Sequence, residues 1–509
     1  MNTNQLKLGS LLSYGQMALG ILIGLLYTPF MMRLLGQSEY GLYNTVSSTI
    51  SMLSILSLGF NSSYIRYYSQ YKLCGDKKKI DSLNGLFMLI FIIIGVVALG
   101  CGLFLTANLE MVFSEGLTAQ EYRIARVLML LFSINLGLSF PMSVFTSIIS
   151  AHERYVVLKL LAMMKTVVGP LASLPLLLLG QGSVAMVSVT LGISLLTDLI
   201  YFIYVRRKLH CRFVFRDFEK GLFRQLLVFT SFIALNLIVN EVNNNIPKFL
   251  LGRYQGTAAV AVYAAGYQLY QYYMTFSTSI SGVFTPRVHR LVQDNWSNPD
   301  RQRQVLTDLF VKVGRIQYLI LGMIASGFIL FGKPFIAFWA GEGYEDAYYV
   351  TLLLMLPSTI ALTQNVGIEI QRAMNRHKFR SIVYIFMAVI NLAVAIWLCQ
   401  LYGTIGATIG TAVSLIVANG LVMNIYYHKR CQVNILTFWK NILRMSVGML
   451  PAVAVGIGLN YLLDLSRVPL MLAGIAIYAV VYLAGMWLMG LNDFEKDLLR
   501  KPLKKFLKR

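Results

Sequence analysis

The chain is 509 residues long, 57% hydrophobic and only 13% charged, with a mean hydropathy of +0.64. That balance excludes an ordinary soluble globular protein, and no stretch is polar enough for a separate soluble domain, so the chain reads as one continuous membrane domain. A formal net charge of +22 does not point to nucleic acid, because Lys and Arg come in short clusters between apolar runs rather than on one module.

Five cysteines with no CxxC suggest neither a disulfide framework nor a thiolate site, and five well-separated histidines give no metal site. With about 20 apolar residues needed to cross a bilayer core, the expected fold is an all-α integral membrane protein of about 14 spans. In chain order these are 9–35, 40–66, 82–107, 124–149, 156–179, 183–205, 223–249, 258–285, 308–332, 347–372, 380–401, 404–427, 441–463 and 468–490. The first span has Lys7 nearby and no small-residue cleavage site, so it reads as a retained anchor.

Basic clusters fall in every second loop: KLCGDKKK (72–79), HERYVVLK (152–159), VRRKLHCRFVFRDFEK (205–220), PRVHR with DRQR (286–303), QRAMNRHKFR (371–380), HKR (428–430) and KPLKKFLKR at the end. The positive-inside rule puts these loops and both termini in the cytoplasm. The opposite loops are short, among them GQGS (180–183) and the acidic GEGYEDAYY (341–349). They leave no room for an outer catalytic domain, and no nucleophile elbow, HExxH, P-loop or phosphate-binding GxGxxG is present. An enzyme is therefore not expected, no cofactor is implied, and any transport is secondary or driven by the substrate's own gradient.

Self-similarity appears at an offset of about 220 residues. RLLGQSEYGLYNTVSS (33–48) matches KFLLGRYQGTAAVAVYAAGY (248–267), AHERYVVLKL (151–160) matches NRHKFRSIVY (375–384), and LGQGSVAMVSVTLG (179–192) matches YGTIGATIGTAVS (402–414). A six-helix unit repeated in parallel accounts for this. The expected division is an N-lobe at 1–205, a cytoplasmic linker at 206–222, a C-lobe at 223–427, two appended helices at 428–490 and a basic tail at 491–509.

The opening LLSYGQMALGILIGLLYTPFMMRLLGQSEYGLYNTVSSTISMLSILSLGFNSSYIRYYSQYK (11–72) and GTIGATIG (403–410) resemble the Wzx-type, lipid-linked oligosaccharide flippase branch of the MATE-like superfamily. The resemblance implies a V-shaped, two-lobed fold that opens alternately to either side. It also implies outward carriage of an undecaprenyl-pyrophosphate-linked glycan. A flippase for peptidoglycan or teichoic-acid precursors is the nearest alternative, and a MATE-type multidrug antiporter a more distant one. Membrane lipids are the only other expected partners, and a monomer is the expected state.

Several spans carry polarity that a bilayer penalises. In LNLIVNEVNNNIPKFL (235–250), Asn236, Asn240, Asn243, Asn244, Lys248 and Glu241 share an arc of roughly 160°. Such a face must meet protein or water, since unpaired polar groups in lipid cost several kcal/mol each. Either these side chains pack against other helices, or Asn236, Asn240, Asn244 and Lys248 line a hydrated substrate cavity. Tyr263, Tyr267, Tyr270, Gln271 and Met274 recur at helical spacing, as bundle core or as a glycan-contacting wall. Lys165 and Asp198 lie at similar depth on consecutive spans, where an ion pair or a pyrophosphate contact by Lys165 is expected. Arg315 and Glu369 repeat that pattern, Arg315 as a phosphate contact or a snorkelling cation. If H⁺ or Na⁺ coupling operates, Asp198, Glu241 and Glu369 are the carboxylates to carry it.

Overall fold

The computed structural model describes residues 3–111, 113, 117–216, 218, 221–497 and 500, without the side chains of 3–7, 10, 111, 229, 232, 233, 236 and 377. The expected basic tail from 501 onward lies outside the described residues. Each predicted span falls on helical backbone, some interrupted by a turn, and there is no strand among the described residues. The helices are α1 (Thr3–Met52), α2 (Phe60–Leu73), α3 (Lys77–Ala107), α4 (Ala119–Ala151), α5 (Tyr155–Leu178), α6 (Gly182–Arg207), α7 (Leu222–Tyr254), α8 (Thr257–Gly282) and α9 (Thr285–Asp294). There follow α10 (Pro299–Trp339), α11 (Ala347–Thr363), α12 (Asn365–Ala373), α13 (His377–Leu415), α14 (Asn424–Lys429), α15 (Ile435–Ser446), α16 (Leu450–Leu462) and α17 (Val468–Gly485).

Two pairs of predicted spans are joined without a loop. α1 runs through Gly36 (φ 73°, ψ 168°) and α13 through Gly403 (φ 55°, ψ −130°), conformations that a Cβ would oppose. Among the described residues, nine helical stretches are long and apolar enough to cross a membrane. The count becomes ten if α11 and α12, bent by 42°, form one broken span. The protein is a multi-pass membrane protein.

The chain packs into two compact units, residues 1–264 with 399–404, and residues 265–398 with 405–509. This partition does not fall at the predicted linker, because α7 packs on α1 and α2 and so groups with the first six spans. The linker itself is not a free tether. Val214 N–H donates to the Asp81 carbonyl (3.0 Å), and Asn84 Nδ2 donates to the Arg212 carbonyl (3.0 Å). The Tyr64 hydroxyl in turn holds Asn84 Oδ1 at 2.6 Å. A Cβ on Gly85 would fall on the Val214 carbonyl, so glycine lets this segment lie directly on α3.

Beneath it, Tyr64, Phe87, Phe91 and Phe60 form an aromatic core with edge-to-face contacts. At the opposite helix ends of this unit, Thr118 and Glu121 make a capping box on α4, and Glu39 accepts from Ser183 N–H at the start of α6 (2.5 Å).

His152, half-buried where α4 ends, is clamped between the Tyr68 hydroxyl (2.9 Å from Nε2) and the Ile148 carbonyl (2.8 Å from Nδ1). A carbonyl only accepts, so Nδ1 carries the proton and the neutral ring takes the Tyr68 O–H on Nε2. Burial lowers its pKa below the ordinary 6.5, and the Lys72 and Arg154 charges add to this against the opposing Ile148 hydrogen bond. A depressed histidine favours the fold fully above the unfolded value of about 6.5 and loses that contribution as pH falls through the lowered value. Thermal stability is therefore expected to drop between pH 7 and pH 5, and His152→Gln should flatten that part of a Tm-against-pH curve.

In the second unit the 41-residue α10 is the spine, contacted by α11, α15, α16 and α17. Phe310 meets Phe438 of α15 edge-on at 4.9 Å, and Tyr482 of α17 donates to the Leu319 carbonyl (3.0 Å). The helices predicted as appendages are thus core partners of α10.

Candidate functional site

In the first unit, α7 turns Val239, Leu250 and Leu251 inward, while Asn240 and Asn244, one turn apart, are exposed. The Asn236 side chain lies outside the described residues. Glu241 and Lys248 are half-buried, and Glu241 accepts from Asn245 Nδ2 within the same helix (2.6 Å). Exposed amides on a segment of this length are groups that a bilayer core penalises. The same unit holds Lys165, exposed on α5, and Asp198, half-buried on the adjoining α6. Asp198 feels the Lys165 charge, yet no ion pair joins them among the described residues, so the expected salt bridge is not formed.

In the second unit, Tyr267 and Gln271 of α8 are half-buried and bonded to each other, Gln271 Nε2 donating to the Tyr267 hydroxyl. Tyr270 is buried with its ring 5.8 Å from that of Tyr267. Glu369 on α12, half-buried, accepts from the exposed Arg372 (2.7 Å) one turn later, an i, i+3 pairing of the kind common on helices.

Arg315 differs from its expectation. It neither snorkels nor presents its fork to a ligand: the residue is 4% exposed, and Nε and Nη2 grip both oxygens of Glu495 at 2.6 and 2.8 Å. Nη2 also donates to the Gly490 carbonyl (2.8 Å), and Nη1 to the Asn441 carbonyl (3.1 Å). With every arm of the guanidinium engaged, Arg315 is a structural tie between α10 and the segment after α17.

Glu495 was not anticipated, because it stands in a region read as a basic tail. The signal was present in Asn492 and Glu495, three residues apart, which form a reciprocal cap (Asn492 N–H to Glu495 Oε2, 2.9 Å; Glu495 N–H to Asn492 Oδ1, 3.0 Å).

A family model described as "Polysaccharide biosynthesis protein" matches residues 9–292, more than half of the chain. The chain belongs to this family. A Shigella flexneri protein named "Putative O-antigen transporter" is 19% identical over 426 residues, covering 82% of this chain and 96% of the relative.

The solved structure of the lipid II flippase MurJ in an inward closed conformation superposes with a TM-score of 0.67 at 16% identity, covering 97% of this family member and 99% of MurJ. An inward-facing multidrug-resistance MATE transporter of the MOP superfamily matches with a TM-score of 0.61 at 15% identity, covering 81% of this chain and 98% of the transporter. The fold is that of the MurJ and MATE transporters, as the resemblance in the sequence implied.

Proposed function

We propose that this family member is a flippase, carrying a polyprenyl-linked oligosaccharide or related cell-envelope precursor from the cytoplasmic to the outer leaflet of a bacterial plasma membrane by alternating access. The observation that carries the reading is the family match over residues 9–292, to which the named O-antigen transporter and the MurJ-like fold add support. In this reading both termini are cytoplasmic and no catalytic step occurs. The exposed Asn240 and Asn244 face a wet path and hydrogen-bond sugar hydroxyls. Lys165 supplies a point charge for the pyrophosphate, with Lys248 a second cation on the path. Tyr267 and Gln271 offer a ring face and an amide to the glycan, and Asp198, Glu241 and Glu369 are the groups available for H⁺ or Na⁺ coupling.

The test is a reconstituted assay in which a fluorescent lipid-linked glycan, supplied to one leaflet of proteoliposomes, is scored for access from the other. Transport well above protein-free vesicles supports the reading, and transport equal to them refutes it. The double substitution Asn240→Leu, Asn244→Leu is expected to lower the rate about thirtyfold, two hydrogen bonds being worth roughly 1 kcal/mol each. Stability should barely change, because both sites are exposed. An unaltered rate would assign these amides to packing.

A further inference from the structure

We propose that the seam between α3 and α7 in the first unit is a phospholipid site that selects a headgroup bearing a primary amine. The site stands on its own geometry and does not depend on what the protein transports. Two cavities lie on this seam. The first, about 500 Å³, is lined by Tyr71, Asp76, Lys78, Lys79, Asp81 and Arg216, with Leu83 and Leu222 on the α3 and α7 sides. The second, about 290 Å³, is wholly apolar in its lining side chains, including Leu58, Phe60, Ile90, Ile94, Phe223 and Leu227.

From Leu83 to Ile90 is two helical turns, roughly 10 Å along α3, while on α7 the slot starts at Phe223, next to Leu222, and runs on to Leu227. The polar basin therefore sits at the ends of both helices and the apolar slot follows it along the same seam. A charged basin that opens two turns before a hydrocarbon-lined slot along α3 has the order of parts of a phospholipid, headgroup first and acyl chain after.

The basin is a built feature. Its Arg216 wall is held on α3 through Val214 N–H to Asp81 O (3.0 Å) and Ser82 Oγ to Arg216 O (3.4 Å). Asp76 is fixed by accepting Lys79 N–H (3.0 Å), and the Lys79 ammonium stands 5.5 Å from the Tyr71 ring centre. Three cations in one basin suit a phosphate diester. Two carboxylates beside them would repel a purely anionic headgroup and attract an ammonium. A primary ammonium donates hydrogen bonds to carboxylates, whereas a quaternary one has none to donate, so phosphoethanolamine fits this charge pattern better than phosphocholine or phosphoglycerol. The basic loop at 72–79 is also one of those that the charge rule places at the cytoplasmic interface, where such lipids are at hand.

The experiment titrates the purified full chain in detergent with phosphatidylethanolamine, phosphatidylcholine and phosphatidylglycerol of identical acyl chains. Thermal stability and lipid retention by native mass spectrometry are the readouts. The expected result is retention of phosphatidylethanolamine about tenfold above the other two, the difference made by roughly one charge-assisted hydrogen bond. Chain-free phosphoethanolamine at the same concentration should produce no shift. Lys78→Gln, Lys79→Gln, Arg216→Gln combined should abolish retention of all three lipids. Asp81→Asn should remove the preference over phosphatidylglycerol while keeping phosphate binding, and Ile94→Trp should weaken every diacyl lipid by filling the slot.

All three variants are compared at equal lipid-free Tm and monodisperse elution, and the single Asp81→Asn change keeps the test open if the triple variant is lost. Equal retention of the three lipids by the unaltered chain overturns the proposal, as does wild-type retention by the triple variant. Displacement of phosphatidylethanolamine by a polyprenyl diphosphate, mole for mole, also overturns it and reassigns the seam to substrate loading.

Discussion

Replacing Glu495 with alanine is expected to cost about 3–5 kcal/mol of stability, the magnitude found when one partner of a buried ion pair is removed. The cause is what remains behind. Arg315 is 4% exposed and among the described residues its charge is balanced by the two Glu495 oxygens at 2.6 and 2.8 Å, while the Asn441 and Gly490 carbonyls can accept its protons but cannot neutralise it. Glu495→Gln keeps the shape and loses the charge, so it should fall between alanine and the unaltered chain. Replacing both partners, Arg315→Met with Glu495→Leu, should recover most of the loss, because the desolvation of both charges disappears along with their attraction. Thermal unfolding of the detergent-solubilised protein reads this order directly. A Glu495→Ala chain that melts with the unaltered one would mean that water reaches the Arg315 fork and that the pair is not the tie between α10 and the end of α17.

Periodicity and charge made the spans legible, because a bilayer imposes length on every helix and the Lys and Arg clusters mark alternate loops. On α7, Asn240 and Asn244 stand out in the sequence because they violate the bilayer's demand, and the structure leaves these two exposed while Glu241, Asn243 and Lys248 are half-buried. Partner choice was not legible. Lys165 and Asp198 share a depth, but an ion pair needs matching azimuth on two packed helices, which one sequence does not encode.

Arg315 and Glu495 are 180 residues apart and meet only because α17 returns along α10. The glycine matches within the apparent repeat also concealed different roles. Gly36 takes a positive φ at the α1 kink, whereas the aligned Gly252 is helical and the turn after α7 is made by Gly256 (φ 84°). Gly252 instead lies where a Cβ would come 2.5 Å from Thr45 Cγ2, a packing role that reads identically to a turn in the sequence.

Gly41 should be the least replaceable residue of α1, and Gly20 among the most tolerant. A Cβ at Gly41 would fall on the Thr257 carbonyl at the start of α8, and a backbone oxygen cannot rotate aside as a flexible side chain can. At Gly20 a Cβ meets nothing within 4 Å. Gly41→Ala is therefore expected to destabilise by about 1–3 kcal/mol through overpacking, and Gly41→Val by more. Gly20→Ala should be neutral or stabilising by up to roughly 1 kcal/mol, since alanine restricts the unfolded chain and favours the helix.

The two changes alter helix propensity alike, so the difference in Tm between them isolates the close approach of α1 to α8. That approach also carries a shared hydrogen bond of 2.9 Å between the Ser38 and Thr257 hydroxyls. Cysteines placed at 38 and 257 should accordingly cross-link under mild oxidation in the parent chain and lose that reaction when Gly41→Val is added. Undiminished cross-linking in the valine variant would mean that α1 and the start of α8 are held together by contacts that do not need a glycine between them.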